Sequence, residues 1–361
     1  MATQHPAPAA QTVKGTDTPT FTVIVTSDRY GNESHGLELE QELVAGVTDL
    51  DVRLVGRAST SEDDLIEAAR DADAMLVSTR EAVTRRVLQN IPRVKVISRY
   101  GVGLDNVDLD AAAEAGIVVT HYPGYCTSEV ADHALAMILA LNRRIVEQDR
   151  ALREGSWVEH GPATRRILRG PIQPLREQTL GIVGFGRIGQ AVAARARPFN
   201  MTLLAADPYL DPEVMVAAGV EPVSLPDLLR RSDIITLHAP LTPETRGIID
   251  AAALALMKPA AVLVNTARGP IIDLPALAEA LQEGRIGGAA LDVVDPEPLP
   301  ADSPFYRMPN VILTPHSAYY SERSVDVVRR ETLLEALQVL RGKRPRTVAN
   351  PAVLEKIALE P

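Results

Sequence analysis

Three polar side chains of different chemistry stand where apolar runs end. AAVLVN leads through "TARG" to Arg268, GGAALDVV leads into "DPEP" and Glu297, and VILTP leads into His316. A guanidinium can clamp a carboxylate through parallel hydrogen bonds and polarise a neighbouring carbonyl. An imidazole can exchange a proton with an oxygen near neutral pH, and a carboxylate beside it favours the proton-bearing form. Glu297 therefore reads as an orienter rather than a nucleophile. Together the set suits a nicotinamide enzyme acting on a 2-oxo acid: Arg268 holds the carboxylate and polarises the ketone, while His316 is the proton donor. Taken singly, each residue has a plainer reading as a surface arginine, a loop carboxylate between prolines, or a histidine satisfied by backbone.

A dinucleotide site is written upstream. Gly184, Gly186 and Gly189 form G-x-G-x-x-G between the apolar run LGIV and the helical pattern IGQAVAARARPF. The first glycine permits a tight turn, the second lets a pyrophosphate approach the backbone, and the third lets helix and strand pack closely, with the helix N-terminus facing the anion. Arg187 can add a phosphate contact. Asp207 ends the next apolar run, LLAADP, where a carboxylate would accept bonds from a ribose diol and repel a 2′-phosphate, favouring NAD over NADP. The expected cofactor wall also includes Ile188, His238, Ala239, Pro240, Thr245, Thr266, Ala267, Asp292 and His316. No metal is expected.

To gather these groups the chain needs a parallel sheet, because ligands of open α/β sheets bind beyond the carboxyl ends of the strands. The required alternation is present. FTVIVTS (21–27), VRLVG, AMLVS and VKVIS are separated by helix-like segments such as LELEQELVAGV, and a second series runs from TLGIVGFG at 179 through TLLAADP, IITLHAP, AVLVNTA and GGAALDVV. Between the two series, YPGYCTSEVADHALAMILALNRRIVEQD reads as one long amphipathic helix capped by Thr127 or Ser128. Residues 145–178 then turn charged and proline-bearing. SERSVDVVRRETLLEALQVLRGK, after VILTPH, is too isolated to be a domain and is expected to pack back on the first unit. In SRYGVGLDNVD, Tyr100, Gly101, Val102 and Gly103 form a loop whose amides can bind a carboxylate, unless it is a plain turn.

The 361 residues, 46% of them hydrophobic, suffice for two domains, and the formal net charge of −10 comes with basic residues spread along the chain. That distribution argues against a nucleic-acid or anionic-membrane partner. A single cysteine, Cys126, allows no internal disulfide and fits a reducing compartment. The N-terminus lacks the pattern of a signal peptide, and no apolar stretch is long enough to span a membrane. A cytoplasmic protein is expected.

RYGVGLDNVD, GIVGFGRIG, NTARG, ALDVVDPEP and LTPH, in that order, resemble the NAD-dependent D-2-hydroxyacid dehydrogenase family over about residues 20 to 350. The likeness lies towards its bacterial C-terminal-binding-protein-like and phosphoglycerate-dehydrogenase-like branches. The resemblance implies an α/β fold of two doubly wound parallel-sheet domains, a Rossmann dinucleotide domain over 123–318 and a discontinuous flavodoxin-like substrate domain over 20–122 and 319–350. Residues 1–19 are then a disordered tail and 351–361 a C-terminal tail. It also implies a homodimer formed through the helix near Thr127, a small 2-oxo or 2-hydroxy acid as substrate, and Arg268, Glu297 and His316 as the catalytic set. Arg80 falls on a loop near the substrate in relatives and could bind a second anionic group, although an exposed arginine is the plainer reading. Tyr319, where the corepressor proteins carry tryptophan, could shape the pocket. Asp132 stands where many relatives have glutamate. The alternative reading from the corepressor branch is an NAD-sensing dimeric binding protein without significant turnover.

Overall fold

The computed structural model describes residues 20–27, 30, 36–59, 61–160 and 172–360. The expected disordered tail over 1–19 and the last residue, 361, lie outside the described residues. The chain divides into two compact units, one made of residues up to Tyr100, Asn106–His121 and Arg329 onward, the other of Gly101–Asp105 and Tyr122–Val328.

The first unit is built on a five-stranded parallel sheet of order β2-β1-β3-β4-β5, with β1 at Thr20–Val25, β2 at Asp51–Gly56, β3 at Ala74–Val77, β4 at Val96–Arg99 and β5 at Val118–His121. Every residue of β3 and β4 is buried, and β3, AMLV, accordingly reads as a continuous apolar run rather than an alternating one. Helix starts are set by short polar side chains: Ser61 accepts from the Asp64 N–H at 3.2 Å, and Asp108 from the Ala111 N–H at 2.9 Å. Glu40, fully buried, pairs with Arg329 at 2.8 and 2.5 Å, joining the helix Glu38–Ala45 to the returning helix Glu322–Leu340.

The stretch after 350 is not a tail. Asn350 accepts from the Val119 N–H and donates to the Ile117 carbonyl, 2.9 and 2.8 Å, and Val353 in the 3₁₀ turn Pro351–Glu355 is fully buried. The turn packs against the helix Leu109–Glu114, which withdraws Val353 from solvent.

The second unit carries a seven-stranded parallel sheet of order β12-β11-β10-β9-β6-β7-β8. β6 is Thr179–Val183, β7 Thr202–Ala206, β8 Glu221–Pro222, β9 Ile234–Leu237, β10 Val262–Asn265, β11 Gly288–Leu291 and β12 Val311–Leu313. Neighbouring residues on a strand enter opposite cores, as the period of two demands. Ile235, Leu263 and Ala289 join one cluster with the helices Leu225–Arg231, Ala251–Leu256 and Leu274–Gln282. Ile234, Val264 and Ala290 join another with the helices Thr127–Asn142 and Arg187–Ala196. Helices thus cover both faces.

The structure departs from the sequence reading in four further places. The long helix is broken: it ends at Asn142, Arg144 takes a left-handed φ of 54°, and a new helix runs Ile145–Arg153. The first piece buries Val130, Ala131, Ala134, Met137 and Ile138 on the sheet while the second buries nothing, so no core contact holds them collinear. Neither Thr127 nor Ser128 caps the first piece; its N-cap is Cys126, without a side-chain bond, and the Ser128 hydroxyl accepts from Arg195 at 2.7 Å instead. Gly101–Asp105 and residues 319–328 group with the second unit, so the boundary falls inside the helix Glu322–Leu340. The short strands β5 and β8 were not distinguished in the sequence. Among the described residues no helix is long and apolar enough to cross a membrane.

Candidate active site

β10, β11 and β12 are adjacent and parallel in the second unit, so the segments that leave their carboxyl ends, bearing Arg268, Glu297 and His316, emerge at one sheet edge about 5 Å apart per strand. The backbone before Arg268 is fixed by Asn265, itself fully buried. Its side chain donates to the Arg268 carbonyl at 2.8 Å and accepts from the Ala267 N–H at 3.0 Å. A methyl group at Gly269 would overlap the Val294 carbonyl, so only glycine fits there. The Arg268 guanidinium donates through Nε to Asp105 at 3.0 Å and through Nη1 to the Ala267 carbonyl at 2.8 Å. Its remaining edge lies over Gly103, where any β-carbon would overlap Nη2. The structure therefore brings Gly103 and Arg268 together, and any side chain at 103 would push the guanidinium from this position.

His316 has a φ of 52°, a left-handed conformation that costs a non-glycine residue energy and persists only where the surroundings impose it. They do so here. The His316 N–H donates to the Asp292 carbonyl at 2.8 Å, and the Asp292 carboxylate, 2% exposed, accepts from Thr314 Oγ1 at 2.6 Å, the Ser317 N–H at 2.8 Å and the Ala318 N–H at 3.0 Å. Asp292, expected in the cofactor wall, thus anchors the turn that bears His316. Nδ1 of His316 lies 2.9 Å from Glu297 Oε1. Tyr319 meets the imidazole edge-on, with ring centroids 6.4 Å apart. It also joins an apolar cluster of Cys126, Val130 and Ala318 into which Val102, Tyr125 and Ile188 pack. Cys126 is buried, as a packing residue would be.

The three glycines of the turn behave differently. Gly184 has φ 86°, and a β-carbon there would come within 2.5 Å of the Ala239 nitrogen. One at Gly189 would overlap the Gly184 carbonyl, whereas one at Gly186 would meet nothing within 4 Å. Two glycines thus serve close packing and the middle one faces open space, which is where a pyrophosphate could approach. Gly186 is the N-cap of the helix Arg187–Ala196, and Arg187 is exposed at its first position. Asp207 holds the turn from the next strand, accepting the Phe185 N–H at 2.9 Å and the Tyr209 N–H at 3.0 Å.

His238 Nε2 is 2.9 Å from Thr236 Oγ1, while its Nδ1 and the hydroxyl of Thr266 are covered and have no partner. Covered polar atoms without partners mark places where a ligand group can bind. Burial lowers the His238 pKa from 6.5 to about 3, so the ring is neutral. Thr245 is occupied otherwise: its hydroxyl donates to the Pro240 carbonyl at 2.6 Å and accepts from the Thr242 N–H at 2.8 Å, closing the loop beyond Ala239. The open space at Gly186, the helix N-terminus and the unpartnered His238 and Thr266 atoms together fit a dinucleotide.

Two expected substrate residues lie in the first unit. Arg80 is exposed after β3. Tyr100 is 6% exposed, its ring stacked obliquely on Tyr30 at 4.9 Å, and its hydroxyl is covered without a partner. Burial and the nearby Glu40 carboxylate raise the Tyr100 pKa well above that of an ordinary phenol. The Tyr100 side chain therefore packs the first unit's interior. Gly101, beside it, has φ 137°. Asp105, Asn265, His133 and Thr314 were not anticipated as site-supporting residues. Asp105 could have been, since it follows Gly103 within GVGLDN, but the others carry no local signal.

Residues 135–318 match the family described as D-isomer specific 2-hydroxyacid dehydrogenase, NAD binding domain. The chain is 41% identical over 308 residues to a glyoxylate reductase of Thermofilum pendens, covering 83% of this chain and 88% of that protein. It is 41% identical over 291 residues to the D-3-phosphoglycerate dehydrogenase of Methanocaldococcus jannaschii, covering 80% of this chain but only 54% of that longer protein. A solved D-lactate dehydrogenase from Aquifex aeolicus, complexed with NAD and lactic acid, superposes with a TM-score of 0.75 at 28% identity, covering 93% of this chain and 98% of that one. With two parallel-sheet α/β units, an NAD-binding domain and a glycine turn of this geometry, the chain belongs to the D-isomer specific 2-hydroxyacid dehydrogenase family.

Proposed function

We propose that this protein interconverts a 2-oxo acid and a D-2-hydroxy acid with NAD(H), as a cytoplasmic homodimer. The observation that carries the reading is the bond between His316 Nδ1 and Glu297 Oε1 at the sheet edge where Arg268 also emerges. Bound NAD(H) supplies or accepts the hydride at C2. Arg268 binds the substrate carboxylate and polarises the C2 carbonyl, its orientation fixed by Asp105 and the Ala267 carbonyl. Glu297 holds Nδ1–H of the imidazole, so the proton reaching or leaving the substrate oxygen travels through Nε2. The Gly101–Gly103 amides and Tyr319 complete the pocket. Ile145, Val146, Trp157 and Val158, exposed on two consecutive helices, supply apolar surface for the second copy.

The similarity to glyoxylate reductases covers most of their length, which favours small 2-oxo acids. Glyoxylate, hydroxypyruvate, phenylpyruvate and phosphonopyruvate, each followed by NADH absorbance, test the proposal. Turnover of glyoxylate or hydroxypyruvate is expected; silence on all four would remove the enzymatic reading and leave an NAD-sensing binding protein.

Asp207 has a separate expectation. Asp207→Ala frees the Phe185 N–H inside the glycine turn and deletes the carboxylate proposed to bind the ribose, so NADH affinity should drop at least about tenfold, with a smaller loss for NADPH. Fluorescence titration with both nucleotides measures this, and unchanged NADH affinity would contradict the assigned role.

A further inference from the structure

The turn that carries His316 is gripped from behind by the helix Thr127–Asn142. His133 Nε2 lies 3.1 Å from Thr314 Oγ1 and 3.7 Å from Asp292 Oδ1, so its ring completes the polar cluster that fixes the turn's entry. Four residues earlier, on the same helix face, Glu129 Oε1 accepts from the Ser321 hydroxyl at 2.8 Å, fixing the exit. Between those grips the backbone makes its left-handed bend at His316, held by the Asp292 carbonyl and carboxylate. The other side of this helix is tied through Ser128 and Asp132 to Arg195, on the helix that begins at the glycine turn.

A residue with φ near +50° returns to an extended or right-handed conformation unless its flanks are fixed. Asp292 holds those flanks through Thr314, Ser317 and Ala318, and a hydroxyl that donates to a carboxylate, as Thr314 does, is oriented also by the polar atom that meets it on its far side. His133 stands there. On these contacts, and resting on the function proposed above, we propose that His133 is a positioning residue for proton transfer. It acts through Thr314 and Asp292 to hold the His316 imidazole in place, with Glu129 as the second grip. His133 touches neither substrate nor cofactor in this assignment.

The test is a double-mutant cycle in the full-length protein. His133→Leu keeps the side chain's bulk and removes its polar contact, and should lower kcat for the preferred 2-oxo acid about tenfold. KM for that acid and NADH affinity should stay within about twofold, because the anion clamp and the glycine turn are untouched. His133→Gln, whose amide can reach Thr314, should recover most of the loss. In a His316→Ala background His133→Leu should have no further effect, since the group it positions is gone. An equal loss in both backgrounds, a parental kcat for His133→Leu alone, or no recovery with glutamine would each overturn the assignment while leaving the proposed reaction standing. A His316→Ala protein as active as the parent would remove His316 as the proton donor, and this inference with it, while silence of the parent on every acid would overturn the reaction itself.

Discussion

Replacing His316 with alanine should lower kcat about a thousandfold, within the range a positioned general acid contributes, while NADH binds within about twofold of the parental affinity. The separation follows from the fold. His316 enters from the turn after β12, whereas the glycine turn follows β6, and between them in the sheet lie β11, β10 and β9. No contact of the glycine turn passes through the imidazole. Glu297→Gln should cause a smaller loss, about ten- to a hundredfold, because a neutral amide still reaches Nδ1 but accepts its N–H more weakly than a carboxylate does. Single-turnover mixing of enzyme, NADH and 2-oxo acid separates the chemical step from product release. Parental rates for His316→Ala in that experiment would eliminate it as proton donor.

Arg268→Lys should be nearly as damaging, with kcat/KM falling about a hundredfold. Lysine keeps the charge but loses the planar fork that binds a carboxylate in two places. The structure adds a second reason. The guanidinium is aimed by bonds to Asp105 and to its neighbour's carbonyl and lies over Gly103, a geometry that an ammonium cannot reproduce. Gly103→Ala should produce a milder version of the same defect, since the added methyl must displace Nη2. The discriminating measurement is steady-state kinetics on two acids, one carrying only the 2-oxo carboxylate and one a second anionic group. Equal losses on both place Arg268 at the shared carboxylate, and a loss confined to the second acid would assign it to the distal group.

The two units and their parallel sheets were legible because each buried strand declares itself. Runs such as AMLV and VLVN are apolar on both faces, and the carboxyl ends where chemistry gathers follow from strand direction alone. The glycine turn was equally plain, its three glycines separated by fixed spacing from a strand and a helix. Arg268, Glu297 and His316 stood out as candidates because each is a polar residue lying just beyond the end of an apolar run. The break at Arg144 was not legible, because Ile145–Arg153 keeps a helical pattern and differs only in having no surface to bury against. Tyr100 looked like part of an anion loop, and its burial against Tyr30 depends on a residue 70 positions earlier in the chain.

What the sequence determined by itself was the inventory: strands, glycine turn and polar residues at strand ends, all set by local periodicity and backbone sterics. Which partner each polar atom would take was decided only by the tertiary structure. Asp292 became the anchor of a turn, Asp105 the aim of an arginine and His133 the support of Thr314, because distance in space, not in sequence, sets hydrogen-bond partners, and Asp105 and Arg268 meet across 163 positions of chain.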